Sequence, residues 1–404
     1  MTPVAALADM PLFKPLWEAF PYLSACFSRW EGMTLGEIAA STYGTAARPG
    51  NMEASAEAID CMASLAAQSV GPEAGAALRA YFSRSNAVLS ANLHGIDCLP
   101  EMTQAVHFFG LDHLASGEPG TVIPVLSCGG VSLQSSAYPR GMLAFPEGQP
   151  VRFPLFRSAW QDTVELNAPA LTERDVHAVR PLWHIEHPYV RQGLDAAVRH
   201  ILALETLSLT RFGEQATRVN ARLCAERFPD SRPLVVYLEL EEVARELLFR
   251  DLARPDSLLH RALFVPRLRE RLVRRLAGVR GCWSSKAASG RKLPRTESNG
   301  TVFFWGTDER GRRHPLRLAS SQGETCLEGT GFRLPFTPEA VVEALLKRSI
   351  YPGLFVSYMT LVFEHGLRCY GGIFLVHYLP TMIRHVREVF AEQKEPLPSL
   401  PAET

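Results

Sequence analysis

The sequence lacks the motifs that identify the large nucleotide-binding and hydrolytic families. It contains no G-x-x-x-x-G-K-[ST] loop and no G-x-G-x-x-G turn after a predicted strand. It also contains no G-x-S-x-G elbow, no H-E-x-x-H pair and no protein-kinase motif set. These absences argue against the standard P-loop, dinucleotide-binding, α/β-hydrolase, zincin and kinase sites, and they leave the reaction class open.

The chain also lacks an excess of charge of either sign. Its 404 residues carry 42 basic and 42 acidic side chains, whereas proteins that bind nucleic acids usually carry a basic field that meets the phosphates. Lysine is scarce, with 5 residues among the 42 basic ones, so arginine supplies nearly all the cations and favours bidentate contacts with anions. We therefore expect a small-molecule ligand and no nucleic-acid partner.

Closely spaced cysteines and long apolar runs are missing as well. The eight cysteines form no C-x-x-C pair, which argues against zinc ribbons and thioredoxin-like sites, and we expect reduced thiols. The first 17 residues have no basic n-region, and the longest apolar run, Tyr351–Phe363, is too short to cross a bilayer. We expect a soluble cytoplasmic protein with no membrane partner.

What is present predicts a helix-rich α/β or α+β fold around a central mixed sheet. Residues 1–116 read as helical, including the stretch from Pro72 to Leu89. Apolar runs at Thr121–Ser127 and Pro233–Leu240 predict two strands of the central sheet, and the second runs directly into a helix at Glu241–Leu252. We predict a mixed α/β region over 117–393, with a possible boundary near 281, and a disordered tail over 394–404.

The first candidate site lies between Asn92 and His113. His94 and Asp97 lie close together after the predicted helix through Leu89, and we predict that they bind a divalent metal or act as acid and base. His107 and His113 complete a possible ligand set for Zn, Mn or Fe. The alternative is that these histidines cap helices and titrate freely.

The second candidate follows the first predicted strand. Ligands of α/β proteins meet the sheet at the carboxyl ends of its strands, which places Ser127, Cys128, Gly129 and Gly130 at a possible binding edge. Cys128 could act as a nucleophile beside an oxyanion hole formed by the glycine N–H groups. Tyr138 and Arg140 follow in a polar turn that could bind a carboxylate or phosphate. The alternative is a tight structural turn.

The third candidate lies in the most apolar part of the chain. Glu364 and His365 end a predicted buried helix, where a charged group needs a partner. Candidate substrate-binding residues follow at Gly371, Gly372, His377 and Tyr378, and Arg218 offers a possible anion clamp on an earlier helix. A glycine-closed helix end and a surface salt bridge are the structural alternatives.

These observations favour an enzyme that acts on a small polar, anionic metabolite. The leading hypothesis is a metal-dependent hydrolase or lyase, or an acid–base enzyme, using His94 and Asp97. A second hypothesis is acyl or amide transfer through Cys128. A third is a non-enzymatic adaptor whose partner surface is a basic amphipathic helix over Arg267–Arg280.

Overall fold

The computed structural model describes most of the chain. The described residues are 18, 21–43, 53–90, 93–99, 103–111, 122–133, 141–228, 234–285, 300–321, 323–371 and 375–397. They form a mixed α/β fold, which confirms the predicted class.

A four-stranded parallel sheet forms the centre of the fold. Its strands are β1 (Ala87–Ser90), β2 (Val122–Ser127), β5 (Leu234–Glu239) and β12 (Arg368–Gly371), in the order β12-β1-β2-β5. The register pairs Ser127 with Glu239, so the last residues of β2 and β5 lie side by side. Both predicted strands of the central sheet are thereby confirmed.

Each face of this sheet is buried against a different layer, because successive side chains of a strand point to opposite faces. Val122 and Leu126 belong to the largest hydrophobic core, which also contains Val236. Ile123 and Val125 belong to a smaller core on the other face. The two strands are therefore covered on both sides, as is typical of parallel strands in α/β proteins.

Antiparallel strands form three smaller sheets among the described residues. They are β3–β4, β10-β9-β8 and β11-β6-β7. Their bounds are β3 (Gly141–Ala144), β4 (Val151–Pro154), β6 (Phe304–Thr307), β7 (Arg313–Pro315), β8 (Arg317–Ser321), β9 (Glu324–Gly329), β10 (Phe332–Pro335) and β11 (Ile350–Pro352).

Helices supply the rest of the described core. Before β5 they are α1 (Pro21–Arg29), α2 (Leu35–Tyr43), α3 (Ala56–Ser69), α4 (Pro72–Phe82), α5 (Gln104–Phe109), α6 (Glu173–Val179), α7 (Pro188–Ile201), α8 (Leu204–Leu207) and α9 (Phe212–Arg227). They continue with α10 (Leu240–Ala253), α11 (Leu258–Phe264), α12 (Pro266–Arg275), α13 (Pro338–Leu346), α14 (Leu354–Tyr358) and α15 (Leu375–Glu392). A π-helix, Met359–Glu364, follows α14 directly. Within the described part of the chain, none of these helices is long and apolar enough to cross a membrane.

The prediction of a helix through Leu89 was wrong. Helix α4 ends at Phe82, and Leu89 lies in the fully buried strand β1. In so short an apolar run, the residue pattern does not distinguish a helix from a buried strand. The structure forms a strand here because β1 pairs with β2 and with β12, which is distant in sequence. His94 therefore follows a strand rather than ending a helix.

Helix α12 is shorter than the basic helix predicted over Arg267–Arg280, and three of its arginines, Arg267, Arg271 and Arg275, contact acidic side chains within the chain. Arg271 lies 2.9 Å from Glu392 of α15, and Arg275 contacts both Glu388 and Glu392. Because the charges are paired internally, this helix offers less of a free basic surface than the adaptor hypothesis requires. The predicted domain division stays a prediction, and β1 of the N-terminal region belongs to the same sheet as β2, β5 and β12.

Candidate functional site

Acidic and polar side chains meet at the carboxyl ends of β2 and β5. Ser127 ends β2, Glu239 ends β5, and α10 begins at once, so that Glu241 stands in its first turn. The chain after β2 is bridged to a third segment, because Val131 accepts a hydrogen bond from the Glu165 amide and Ser132 pairs with Val164. Two separate parts of the sequence, one with Glu165 and the other with Glu239 and Glu241, therefore bring carboxyl groups to the edge where β2 ends.

His94 lies under this edge, almost fully buried. Its Nε2 is 2.9 Å from the Gly213 carbonyl oxygen and its Nδ1 is 2.6 Å from the Ser127 hydroxyl. A carbonyl only accepts, so Nε2 carries the proton and donates, and Nδ1 accepts from Ser127. Burial lowers the pKa of His94, which agrees with a neutral ring held by two partners.

Glu165 and Glu239 face each other beside His94. One ligand atom from each of the three residues lies within 4.8 Å of the others, and all three side chains are buried. Neither carboxylate oxygen of Glu165 has a hydrogen-bond partner, and Oε1 of Glu239 has none. Burial, followed by the charge of Glu239, raises the pKa of Glu165 well above its ordinary value. We refer to Glu165, Glu239, Glu241 and His94 as the carboxylate cluster.

Only part of the negative charge at this edge is balanced by cations. Arg211 donates to Oε2 of Glu239 at 3.0 Å and lies 3.5 Å from Glu242. Burial alone would raise the pKa of Glu242. The hydrogen bond from Arg245 and the positive charge of Arg211 outweigh that effect and lower the pKa of Glu242 to about 2. Glu165 contacts no arginine within ion-pair distance in the described ranges, so it carries the uncompensated charge when ionised.

Two glycines leave the space that these carboxylates occupy. A Cβ at Gly213 would lie 2.4 Å from Oε1 of Glu239, and a Cβ at Gly129 would lie 2.6 Å from Oε2 of Glu165. Real Cβ atoms do not approach so closely, so any larger residue would displace a carboxylate. The absence of a side chain at Gly129 and Gly213 therefore allows Glu165 and Glu239 to occupy their positions in the carboxylate cluster.

The Gly129 and Gly130 amides bind Glu241. They donate to its two carboxylate oxygens at 2.8 and 2.9 Å. Burial raises the pKa of Glu241 to about 7, and the two amide bonds only partly offset that effect. The N–H groups that we predicted as an oxyanion hole beside Cys128 are thus already used, and burial raises the pKa of the Cys128 thiol well above its ordinary value. Both observations count against a Cys128 nucleophile, since the reactive form is the thiolate.

A cavity of about 220 Å³ adjoins Glu241. Five aromatic residues contribute to its wall, namely Trp283, Phe303, Trp305, Tyr351 and Phe355. Cys128, Glu241 and Arg313 supply side chains with acid–base or charged character. The Arg313 guanidinium lies 4.7 Å from the centroid of the Trp305 ring and donates to the Gly130 carbonyl at 2.9 Å. An apolar pocket with a few charged groups, such as this one, is typical of small-molecule sites.

The predicted metal ligands around His94 are not brought together. Asp97 accepts a hydrogen bond from the Tyr237 hydroxyl at 2.9 Å, and Asp97 and His107 line a separate cavity of about 10 Å³. His107 contacts the Thr103 hydroxyl at 2.9 Å. Over the described ranges, His94 forms its group of possible metal ligands with Glu165 and Glu239 instead. His113 lies outside the described residues.

Glu364 and His365 belong to a second buried network. His365 lies 2.6 Å from the Ser55 hydroxyl through Nδ1 and 3.1 Å from Asp251 through Nε2. The same Ser55 hydroxyl accepts from the Ala58 amide and caps α3. Glu364 accepts from the Leu258 amide at the start of α11. We refer to Ser55, His365 and Asp251 as the Ser55 network; its members do not line the large cavity.

Three of the predicted substrate-binding residues have structural contacts. Arg218 donates to the Ser69 carbonyl at 2.6 Å and to the Glu205 carbonyl, so it joins helices rather than clamping an anion. A Cβ at Gly371 would lie 2.6 Å from the Ser90 carbonyl, so this glycine allows the close approach of β12 to β1. The ring of Tyr378 packs against the ring of Tyr358 in a tilted arrangement, with 5.9 Å between the ring centroids.

The structure does not describe the side chains of the remaining predicted substrate-binding residues. Tyr138, Arg140 and Gly372 lie outside the described residues, and of His377 only the backbone, within α15, is described. They stay predictions.

Sequence reasoning missed the acidic residues that matter most. The rule that singled out Ser127, a polar residue at the carboxyl end of a predicted strand, applies equally to Glu239 and Glu241, which end the run PLVVYLEL and begin the next helix. Glu165 carries no such signal, because it stands in a 3₁₀ turn that is far along the sequence from every strand of the parallel sheet. Arg313 likewise reaches the cavity only through the packing of β7.

Comparison with known proteins adds no family. No protein-family model matches the chain, and no curated protein matches it significantly. The functional argument therefore depends on the geometry of the site.

Proposed function

We propose that the protein is an enzyme that binds a small anionic molecule in the aromatic-walled cavity and transfers protons through Glu241. The observation that carries the proposal is the position of Glu241, a buried carboxyl group with a pKa of about 7, on the wall of the aromatic-walled cavity of about 220 Å³. Acid–base catalysis is most effective when the pKa of the catalytic group lies near the working pH. Glu241 thus takes the role that the sequence assigned to His94 and Asp97.

The orientation of Glu241 supports this role. Its two oxygens are fixed by the Gly129 and Gly130 amides, and each oxygen keeps a second lone pair for a ligand. A Cβ at Gly130 would lie 2.6 Å from Oε1 of Glu241. The carboxyl group is therefore held in one place before any ligand arrives, as general acid–base catalysis requires.

Arg313 supports an anionic ligand. It donates to a backbone carbonyl and lies over Trp305, but within the described ranges it forms no ion pair with a carboxylate. A half-buried cation without an acidic partner is suited to a carboxylate or phosphate group.

The first test measures anion binding. We expect inorganic phosphate or malonate to bind the protein in isothermal titration calorimetry, and Arg313→Gln to weaken that binding at least tenfold. The matched control is Arg333→Gln, which changes an exposed arginine of β10. Equal affinity in all three proteins, or no binding to the unmodified chain, would contradict the proposed site.

The second test measures turnover. A mixture of carboxylated and phosphorylated metabolites is incubated with the protein, and depletion is followed by mass spectrometry. We expect Glu241→Gln to slow depletion by roughly 100-fold or more, and the exposed Glu186→Gln to leave the rate unchanged. Undiminished turnover in Glu241→Gln would rule out its acid–base role.

A further inference from the structure

We infer that Glu165, Glu239 and His94 form a binding site for a divalent transition-metal cation, beside Gly129 and outside the lining of the aromatic-walled cavity. The inference does not depend on the proposed enzymatic reaction. It follows from the geometry and the unpartnered oxygens of the three side chains.

The first argument is convergence. One ligand atom from each of the three residues lies within 4.8 Å of the others, so a single ion between them can be reached by all three with small side-chain movements. Each residue comes from a different part of the fold: the segment after β1, the 3₁₀ turn at Glu165–Asn167, and the end of β5. Such a meeting point is held by the tertiary structure and not by local sequence.

The second argument is the unmet bonding capacity of the carboxylates. Glu165 is 3% exposed and has no hydrogen-bond partner on either oxygen, and Oε1 of Glu239 has none. A buried carboxylate without a partner costs several kcal/mol and is rare in folded proteins. A cation would supply the missing partner for both groups at once.

The third argument is space. His94 and Glu165, but not Glu239, line a cavity of about 10 Å³. That volume is close to the space needed for one water-sized occupant, so two of the three proposed ligands already face a space of this size. The clashes that a Cβ would make at Gly129 and Gly213 show that the backbone leaves this room for the carboxylates.

The chemistry of the ligands selects the class of ion. Two carboxylates favour Mn²⁺ and Mg²⁺, whereas an imidazole favours Fe²⁺, Zn²⁺ and heavier ions. A mixed set with two oxygen ligands and one nitrogen ligand is best matched by Mn²⁺ or Fe²⁺. His94 would release one of its two present hydrogen bonds to bind the ion, since both ring nitrogens are used.

The experiment uses Mn²⁺ itself, followed by the loss of the free aqueous ion signal in electron paramagnetic resonance. The full chain is first treated with a chelator and then titrated at pH 7.5. We expect one equivalent of Mn²⁺ to bind, and Glu165→Gln to weaken that binding at least 100-fold. The exposed Glu186→Gln is the matched control and should bind like the unmodified protein.

The competing explanation is that Glu165 and Glu239 share a proton and bind no metal. In that case the unmodified protein leaves Mn²⁺ free at millimolar concentration, and this result alone overturns the inference without any variant. Equal Mn²⁺ binding by the unmodified protein and a folded Glu165→Gln variant would also overturn it. If Glu165→Gln does not fold, the unmodified protein still decides, because electron spin-echo envelope modulation of the bound Mn²⁺ should show coupling to an imidazole nitrogen of His94. Mn²⁺ binding without that nitrogen coupling contradicts this site.

The metal site and the proposed function fail on different results. The proposed function fails if phosphate and malonate do not bind the unmodified chain or bind Arg313→Gln equally well, whereas the metal site fails if Mn²⁺ stays free. The two results are therefore read separately.

Discussion

Two buried polar groups of this protein differ in how completely their atoms are paired. In the Ser55 network, Asp251 is fully buried and receives partners from His365 and Arg254. In the carboxylate cluster, Glu165 is as deeply buried and has no hydrogen-bond partner. Because burial of an unpaired carboxylate is costly, complete pairing indicates a structural role, and incomplete pairing indicates a ligand or a proton.

This comparison reverses the ranking that the sequence suggests. Glu364 and His365 look like a site because they stand in an apolar region, yet they cap α11 and link α3 to α10. Glu165 looks ordinary in the sequence, yet it occupies the least satisfied position among the described carboxylates. The number of hydrogen-bond partners distinguishes Glu165 from Glu364 and His365, whereas residue type alone does not.

The largest expected effect is a loss of stability when the Ser55 network is broken at His365. His365→Leu removes one hydrogen-bond partner from each of Ser55 and Asp251 and leaves Asp251 buried with Arg254 alone. We therefore expect the free energy of unfolding to fall by about 4 kcal/mol. Urea denaturation followed by circular dichroism measures this change. His177→Leu, at an exposed histidine, is the control and should change stability little; a similarly small effect at His365 would show that the network contributes little to stability.

The second expected effect is a pH dependence of the free energy of unfolding that arises from Glu241 in the carboxylate cluster. Burial raises the pKa of Glu241 from 4.5 to about 7, so folding favours its protonated form. The associated stability is fully present below pH 4.5 and is lost as the pH rises towards 7, by about 3 kcal/mol.

Glu241→Gln should remove this part of the pH dependence. Unfolding free energies measured with a chelator present, from pH 4.5 to 8, should fall less steeply in the variant than in the unmodified protein. Glu165 shifts in the same direction, so we expect a reduced slope and not a flat one. Parallel curves for the two proteins would show that Glu241 ionises normally in the folded state.

The smallest expected effect tests the space beside the carboxylates. Gly213→Ala places a Cβ 2.4 Å from Glu239, and we expect overpacking to cost about 2 kcal/mol despite the better helix propensity of alanine. Gly36→Ala in α2 is the matched control, because its Cβ would meet only Thr34, at 4.0 Å. Thermal unfolding of both variants checks the comparison, and equal stability would mean that Glu239 moves freely.

Local sequence determined many elements of this fold. The apolar runs of β2 and β5 and the helix that follows β5 were predictable because their side chains are buried on both faces. The start of α13 was predictable from Thr337 and Pro338, and Thr337 does accept from the Ala340 amide. Ser127 was correctly placed at a strand end by the same local reasoning.

Only the tertiary structure decided where the functional groups meet. Glu165, Glu239 and His94 are separated by up to about 145 positions along the chain, and nothing in their local patterns links them. Their meeting depends on the parallel pairing of β2 with β5 and on the bridge that joins the segment after β2 to Val164. The chain thus specified the acidic residues, whereas long-range pairing and burial decided which of them would be left without partners.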